Sequence, residues 1–116
     1  MESILTSIKK LLGISDEYDH FDADIIMHIN SVFMILNQLG VGPNEGFMIE
    51  DESATWEDFF TGRENLAAVR SYMYLKVKML FEGHTLSASM IESIDRMTKE
   101  FEWRLNVSGE EEIQNG

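Results

Sequence analysis

Two groups of polar side chains near the amino terminus carry residue types that bind metal ions. His20, Asp24 and His28 stand four residues apart, which places them on one face if the segment is a continuous helix. Histidine and carboxylate groups can ligate Zn²⁺, but a tetrahedral site needs further ligands from elsewhere in the chain. A solvated polar face near the start of a helix is the simpler interpretation, and we favour it.

A run of acidic residues in the same region raises the question of a calcium site; it consists of Asp16, Glu17, Asp19, Asp22 and Asp24. The spacing differs from that of an EF-hand, because the third position counted from Asp16 is Tyr18 and the sixth is not glycine. We interpret the run as a solvated acidic loop. The sequence therefore predicts no bound metal and no cofactor.

No arrangement of a nucleophile with a base is recognisable. The serines are scattered without a GxSxG motif, and GVGPNEG at residues 40–46 lacks the lysine and hydroxyl residue of a phosphate-binding loop. The chain has no cysteine, which excludes a thiolate nucleophile, a cysteine zinc site and disulfides. We therefore expect a protein that is not an enzyme.

The charge of the chain is strongly negative and unevenly distributed. With 21 acidic and 9 basic residues the net charge is −12, which disfavours binding to the phosphates of nucleic acids. Residues 14–62 contain eleven acids and neither lysine nor arginine, and seven of the nine basic residues follow from Arg63 onward. No segment resembles a signal peptide or a membrane span, so we expect a soluble intracellular protein.

The spacing of apolar residues predicts an all-α fold, a small bundle of about four helices with a long acidic loop between helices two and three. We expect helices at about residues 2–12, 22–39, 63–82 and 87–105. Asp22 is the predicted N-cap of the second helix. Thr55 is expected to begin a short turn with a capping box, and residues 46–51 are a weak candidate for an edge strand.

The same spacing predicts one domain, residues 1–105, and its core. The core residues share helical periodicity on helices two, three and four; they are Ile29, Val32, Leu36, Val69, Met73, Val77, Ile94 and Phe101. Residues 106–116 form an acidic tail with few apolar residues, which we expect to be flexible in the free subunit.

The acidic loop of residues 40–56 has two interpretations. It contains no lysine, arginine or histidine, yet it keeps Phe47, Met48, Ile49 and Trp56. These side chains either close one end of the bundle or contact another molecule. We favour contact for Phe47, Met48 and Ile49, and leave both interpretations open for Trp56.

Several short segments, taken together in their order and spacing, resemble a known family. They are Asp24-Ile25-Ile26, Ile29-Asn30, Leu39-Gly40-Val41-Gly42-Pro43, the turn at Trp56, the Tyr-x-x-Leu-Lys segment at residues 72–76, and Glu102-Trp103-Arg104-Leu105. In this respect the chain resembles the small head–tail connector proteins of tailed bacteriophages and prophages. The resemblance extends over nearly the whole chain, and no single segment is diagnostic alone.

The resemblance implies a structural virion protein at the head–tail interface, assembled in the host cytoplasm. It implies self-association into a ring of about a dozen copies beneath the portal protein. Such a ring extends the channel through which DNA passes without specific binding, and offers a surface to the next head-completion or tail protein. The alternative is a monomeric acidic helical module that binds a basic protein partner.

Three groups of residues have expected roles in such an assembly. Phe47, Met48, Ile49 and Trp56 would contact a neighbouring copy or partner. The acids Glu50, Asp51 and Glu52 would line the channel or set the register between copies. Trp103, Arg104 and Ile113 at the carboxy-terminal end would dock onto the portal.

Overall fold

A computed structural model of the chain describes the backbone of residues 2–115 and the side chains of residues 2–107. Over this range the protein is all-α, as predicted, and has no β-strand. The elements in chain order are α1 (Ile4–Leu11), α2 (Asp22–Gln38), α3 (Trp56–Phe59), α4 (Leu66–Glu82), a 3-10 turn (Gly83–Thr85) and α5 (Ala88–Asn115). Among these described helices, none combines the length and apolar content needed to cross a membrane.

Helix α1 lays an apolar face on the rest of the molecule. The Ser3 hydroxyl caps its start by accepting a hydrogen bond from the Thr6 amide at 3.2 Å. Ile4, Leu5 and Ile8 are buried, and the helix contacts both α2 and α4. The predicted first helix is confirmed, and it contributes core residues that the sequence-based list did not include.

Helix α2 begins at Asp22, but Asp22 is not its N-cap, so that prediction was wrong. The N-cap is Phe21, whose side chain makes no capping hydrogen bond. The Asp22 carboxylate instead lies 2.8 Å from the buried ammonium of Lys9, so its partner is on another helix. Asp22 and Asp24 in the first turn still favour the helix, because its amino terminus carries a partial positive charge.

The short helix α3 begins with the predicted capping box. The Thr55 hydroxyl accepts a hydrogen bond from the Asp58 amide at 3.3 Å, and the Thr55 amide donates to the Asp58 carboxylate at 2.9 Å. Thr55 also forms an isolated antiparallel bridge with Ser3. The described chain has no strand at residues 46–51, so the suggestion of an edge strand there was wrong.

Helix α4 is the centre of the bundle, because it contacts α1, α2 and α5. It begins at Leu66 rather than near Arg63, since the side chain of Asn65 caps it by accepting from the Ala68 amide at 3.2 Å. Its buried residues are Val69, Tyr72, Met73 and Val77. The Tyr72 hydroxyl donates to the Glu102 carboxylate at 2.6 Å, which joins α4 to α5 through a partly buried polar contact.

Helix α5 is longer than predicted. The Ser87 hydroxyl caps its start by accepting from the Met90 amide at 3.1 Å, and the helix continues to Asn115, beyond the predicted end at Leu105. Its buried stripe, which includes Ile94 and Leu105, faces the bundle. The expected flexibility of residues 106–116 stays a prediction.

The core contains the predicted residues of α2, α4 and α5 together with side chains from α1 and the acidic loop. Seven of the predicted residues are buried, and Phe101 is only partly buried. The described part of the molecule measures 43 × 35 × 19 Å. Its thin dimension equals about two helix diameters, so several helices keep an outer side exposed.

Candidate functional site

The acidic loop is fixed to α2 by the side chain of Asn30. Asn30 Nδ2 donates to the Ile49 carbonyl oxygen at 3.0 Å, and the Ile49 amide donates to Asn30 Oδ1 at 2.8 Å. The side-chain amide therefore pairs with the backbone of Ile49 as a neighbouring strand would, which satisfies both polar groups without a sheet. This contact positions the apolar residues on either side of Ile49.

Ile49 and Trp56 lie inside the subunit, with 2% and 3% of their surface exposed. The indole Nε1 of Trp56 donates to the Ser7 hydroxyl at 2.9 Å, and the Arg70 guanidinium lies 5.7 Å from the ring centroid. These positions correspond to the interpretation in which the loop closes one end of the bundle. Neither side chain offers much surface to a neighbouring molecule.

Phe47 lies at the edge of the core. Its ring packs edge-to-face on the rings of Phe33 and Phe59, with centroid distances of 5.0 and 5.6 Å, a favourable geometry for aromatic pairs. Gly42 allows this packing, because a β-carbon there would lie 2.3 Å from the Phe59 ring. Its positive φ of 90° also favours glycine. Phe47 is thus held by its own subunit while part of it stays accessible.

Met34 and Met48 border this aromatic group, and a third exposed methionine, Met27, lies two turns earlier on α2. Met27 and Met34 on α2 are 57% and 62% exposed, and Met48 in the loop is 69% exposed. The seven-residue spacing of Met27 and Met34 puts them on the same side of α2. Residues 25–44 contain no aspartate, glutamate, lysine or arginine. We call the surface formed by Met27, Met34, Phe47 and Met48 the methionine face.

An open groove of about 450 Å³ crosses the methionine face. Its lining combines apolar, amide and acidic side chains; the residues are Phe33, Met34, Asn37, Gln38, Glu45, Gly46, Phe47 and Met48. Glu45 has no ion-pair partner within the described residues. Thioether side chains adapt to irregular surfaces, and protein interfaces are enriched in methionine and depleted of charge at their centre. The groove therefore has the character of a docking surface for a protein.

The acids that follow Ile49 form an exposed tip, which we call the acidic tip (Glu50, Asp51 and Glu52). The Asp51 carboxylate accepts hydrogen bonds from the hydroxyl and from the amide of Ser53, the latter at 2.8 Å. These bonds stabilise the charged form and lower the pKa of Asp51 below its ordinary value. The tip therefore presents negative charge beside the methionine face.

The buried ammonium of Lys9 fills the centre of the acidic segment that precedes α2. Lys9 Nζ lies 2.8 Å from Asp22 Oδ1, 3.2 Å from the carbonyl oxygen of Asp16 and 2.9 Å from that of Tyr18. These oxygens compensate the lysine for its lost hydration. The carbonyl oxygens of Asp16 and Tyr18 thus accept hydrogen bonds from a side chain of the protein.

The histidines near α2 contact aromatic rings. The His20 ring lies 4.8 Å from that of Phe21, and the His28 ring lies 6.5 Å from that of Phe81. Within the described residues, no group of three histidine or acidic side chains is placed to hold a metal ion. The spacing of His20, Asp24 and His28 therefore does not produce a zinc site in this structure.

The residues expected to dock onto the portal lie toward the end of α5. Trp103 is 69% exposed, and Arg104 forms an ion pair with Glu100 one turn earlier, at 2.6 Å. Ile113 lies outside the residues whose side chains are described. An exposed tryptophan is a suitable anchor for a protein partner, and the docking role of this group stays a prediction.

Sequence reasoning missed Lys9 and Asn30, two of the side chains that hold the loops in place. For each residue the sequence contains only a weak indication of its role. Lys9 interrupts the apolar run of the first helix, and Asn30 is a polar residue within the long uncharged segment of α2. The partners of Asn30 are backbone groups of a loop, and those of Lys9 are two loop carbonyls and the Asp22 carboxylate. None of these partners can be located from residue spacing.

Comparison with known proteins gives one result. Residues 4–112 match a family model described as phage connector protein. No curated protein and no solved structure with significant similarity to the chain was found.

Proposed function

This chain belongs to the phage connector protein family, and on that premise we propose that its copies form a ring of about a dozen subunits beneath the portal. The family has a structural role and connects phage head and tail proteins in the virion. In our proposal the ring extends the DNA channel. The side of the ring that faces away from the portal receives the next head-completion or tail protein.

The observation that carries the proposal is the methionine face. A chain with a net charge of −12 would be expected to place acids over its exposed helices, yet α2 exposes methionine and amide side chains. Contiguous exposed apolar surface usually marks a contact with another protein. Because Asn30 fixes the loop that carries Phe47 and the exposed Met48, the face is formed before any partner binds.

The acidic tip supports the proposed channel. A lining of carboxylates provides no counterion release with DNA, so DNA would move through the ring without being held. We propose that Glu50, Asp51 and Glu52 face the channel. Changing all three to lysine should leave assembly largely intact and slow DNA release.

The carboxy-terminal end of α5 is the proposed portal contact. Trp103 supplies an exposed aromatic anchor, while Arg104 and Ile113 would add charge and apolar area around it. This end is distinct from the methionine face, so one subunit can contact its neighbours and the portal at the same time.

Completion of phage heads tests the proposal. Heads assembled without this protein should lose DNA and fail to join tails, and adding the purified protein should restore tail joining. Addition of a Met34→Asp, Met48→Asp variant should not restore it. Heads that mature normally without the protein would contradict the proposal. A persistently monomeric protein that bound a basic partner in place of the portal would support the alternative of an acidic adaptor.

A further inference from the structure

A second open pocket lies between the start of α2 and the end of α4. It has a volume of about 490 Å³, and ligand pockets in proteins commonly measure roughly 300–1,000 Å³. Its lining combines two phenylalanines, two histidines and two acids with Met27 and Thr85. The pocket shares no lining residue with the groove beside Met34, so it is a separate place for a ligand to bind.

Phe21 and Phe81 form the aromatic wall of this pocket. Their rings pack edge-to-face with centroids 5.3 Å apart, and the His28 ring packs on Phe81 at 6.5 Å. Both phenylalanines are only partly buried, so part of the aromatic surface stays open to a ligand. The faces of aromatic rings carry partial negative charge and attract cations, most often the guanidinium of arginine.

The charge around the pocket is negative and includes an unpaired carboxylate. Asp24 is exposed and has no ion-pair or hydrogen-bond partner within the described residues. Glu82 is matched inside the subunit, because Lys78 donates to its carboxylate at 2.8 Å. The amino end of α2 is offset by Asp22 and Asp24, while the carboxyl end of α4 adds partial negative charge and has no basic residue in its last turn. A cation is therefore the complementary ligand.

We propose that this pocket binds an arginine side chain of a partner protein. The planar guanidinium lies against the aromatic wall and donates hydrogen bonds to the Asp24 carboxylate. His28 and His84 have no hydrogen-bond partner within the described residues, and a neutral imidazole can accept from a further N–H group. Arginine suits the pocket better than lysine, because its planar group stacks on a ring while its N–H groups bond a carboxylate.

The partner is a different protein, because this chain has few basic side chains to offer. It contains 9 basic residues against 21 acids, and its four arginines are already engaged or flanked by acids. Arg70 and Arg104 form ion pairs within the subunit, and Arg63 also has a partner. Arg96 stands one helical turn from an exposed acid on either side. A partner with basic side chains is complementary to a chain with a net charge of −12.

Methyl NMR of the full chain tests the pocket, because Met27 lines it and Met48 does not. The probe is N-acetyl-arginine amide, and the matched control is N-acetyl-citrulline amide, which keeps a planar group but lacks the charge. We expect the arginine probe to shift the Met27 methyl signal in a saturable way and to leave the Met48 signal in place. The citrulline probe should bind at least roughly tenfold more weakly.

Variants of the pocket give an independent readout. Asp24→Asn should raise the dissociation constant of the arginine probe roughly tenfold. Asp16→Asn, which removes the same charge from an exposed acid outside the pocket, should leave it unchanged. Phe81→Leu, which keeps apolar bulk without the ring, should also weaken binding.

Three results would overturn the arginine site. They are equal affinity for the two probes, equal affinity of Asp24→Asn and the wild type, and the absence of a saturable Met27 shift. A Met27 shift that appears when the protein is concentrated without a probe would assign the pocket to a second copy, which also contradicts the proposal. The site goes beyond the proposed ring, and none of these results decides whether the ring forms.

Discussion

The side chain of Asn30 bonds both the amide and the carbonyl of Ile49, at 2.8 and 3.0 Å. The bonds connect the middle of α2 to the middle of the acidic loop. Because Ile49 is also buried, the loop is held by a polar and an apolar attachment at the same residue. Phe47 and Met48 are thereby kept next to Met34, and the methionine face exists in the isolated subunit.

Replacing Asn30 by alanine should destabilise the protein and weaken assembly. The change leaves the backbone groups of Ile49 without partners, and a buried unsatisfied polar group costs about 1–3 kcal/mol. Urea unfolding followed by circular dichroism measures the loss. Gln38→Ala, which removes an exposed amide without a described hydrogen bond, should leave the unfolding midpoint unchanged. Equal stability of the Asn30 variant and the wild type would show that the loop is held by apolar packing alone.

Replacing Lys9 by methionine should also destabilise the fold. Methionine keeps the length of the side chain but removes the ammonium that bonds Asp22 and two carbonyl oxygens. Hydrogen bonds to charged groups contribute about 1.5–3 kcal/mol, and we expect a loss of that order by chemical denaturation. The matched control is Lys10→Met, because Lys10 is exposed on the same helix. If the two variants unfold at the same urea concentration, the buried lysine has no special structural role.

The fold was largely predictable because helix periodicity and capping are local properties. Residues such as Val32, Val69 and Val77 were correctly placed in the core from spacing alone, and the capping box at Thr55 follows from its sequence. The N-cap of α2 was predicted wrongly because the partner of Asp22 is Lys9, on another helix. A long-range ion pair leaves no periodic trace in the sequence.

The loop shows where sequence reasoning reaches its limit. Phe47, Met48 and Ile49 are consecutive apolar residues, and the sequence gives no basis for separating them. The structure separates them by backbone direction: Ile49 is buried, Phe47 lies on the edge of the core and Met48 is 69% exposed. Met27 and Met34 on α2 are exposed, because α4 and α1 cover only part of that helix.

Ser53→Ala should raise the pKa of Asp51 toward its ordinary value of 3.8. The hydroxyl of Ser53 is the largest cause of the lowered pKa, since it donates a hydrogen bond to the carboxylate. Because the pKa of Asp51 is lower in the folded than in the unfolded state, its carboxylate stabilises the fold at pH values above the unfolded-state pKa. This stabilisation is lost as the pH falls through the folded-state pKa. Titration of the Asp51 carboxyl carbon by NMR measures the change. Ser31→Ala, at a distant exposed hydroxyl, is the control, and an identical Asp51 titration in both variants would disprove the assigned cause.

Removing residues 107–116 should weaken attachment to the portal while leaving the bundle folded. The deletion shortens α5 past Leu105, its last described buried residue, so the helical circular dichroism should fall only by the part removed. The thermal midpoint should stay close to that of the full chain. Trp103→Ala should weaken attachment further, whereas Lys99→Ala should not. Normal portal attachment by the shortened protein would show that residues 107–116 are not part of the docking surface.

Electron microscopy of the purified protein, alone and on portal-bearing heads, tests the central claim most directly. We predict rings of about a dozen copies with an open channel, and we predict that Met34→Asp with Met48→Asp yields folded subunits that do not form them. A wild-type protein that remains monomeric in both preparations would contradict the account, as would intact rings formed by the double aspartate variant.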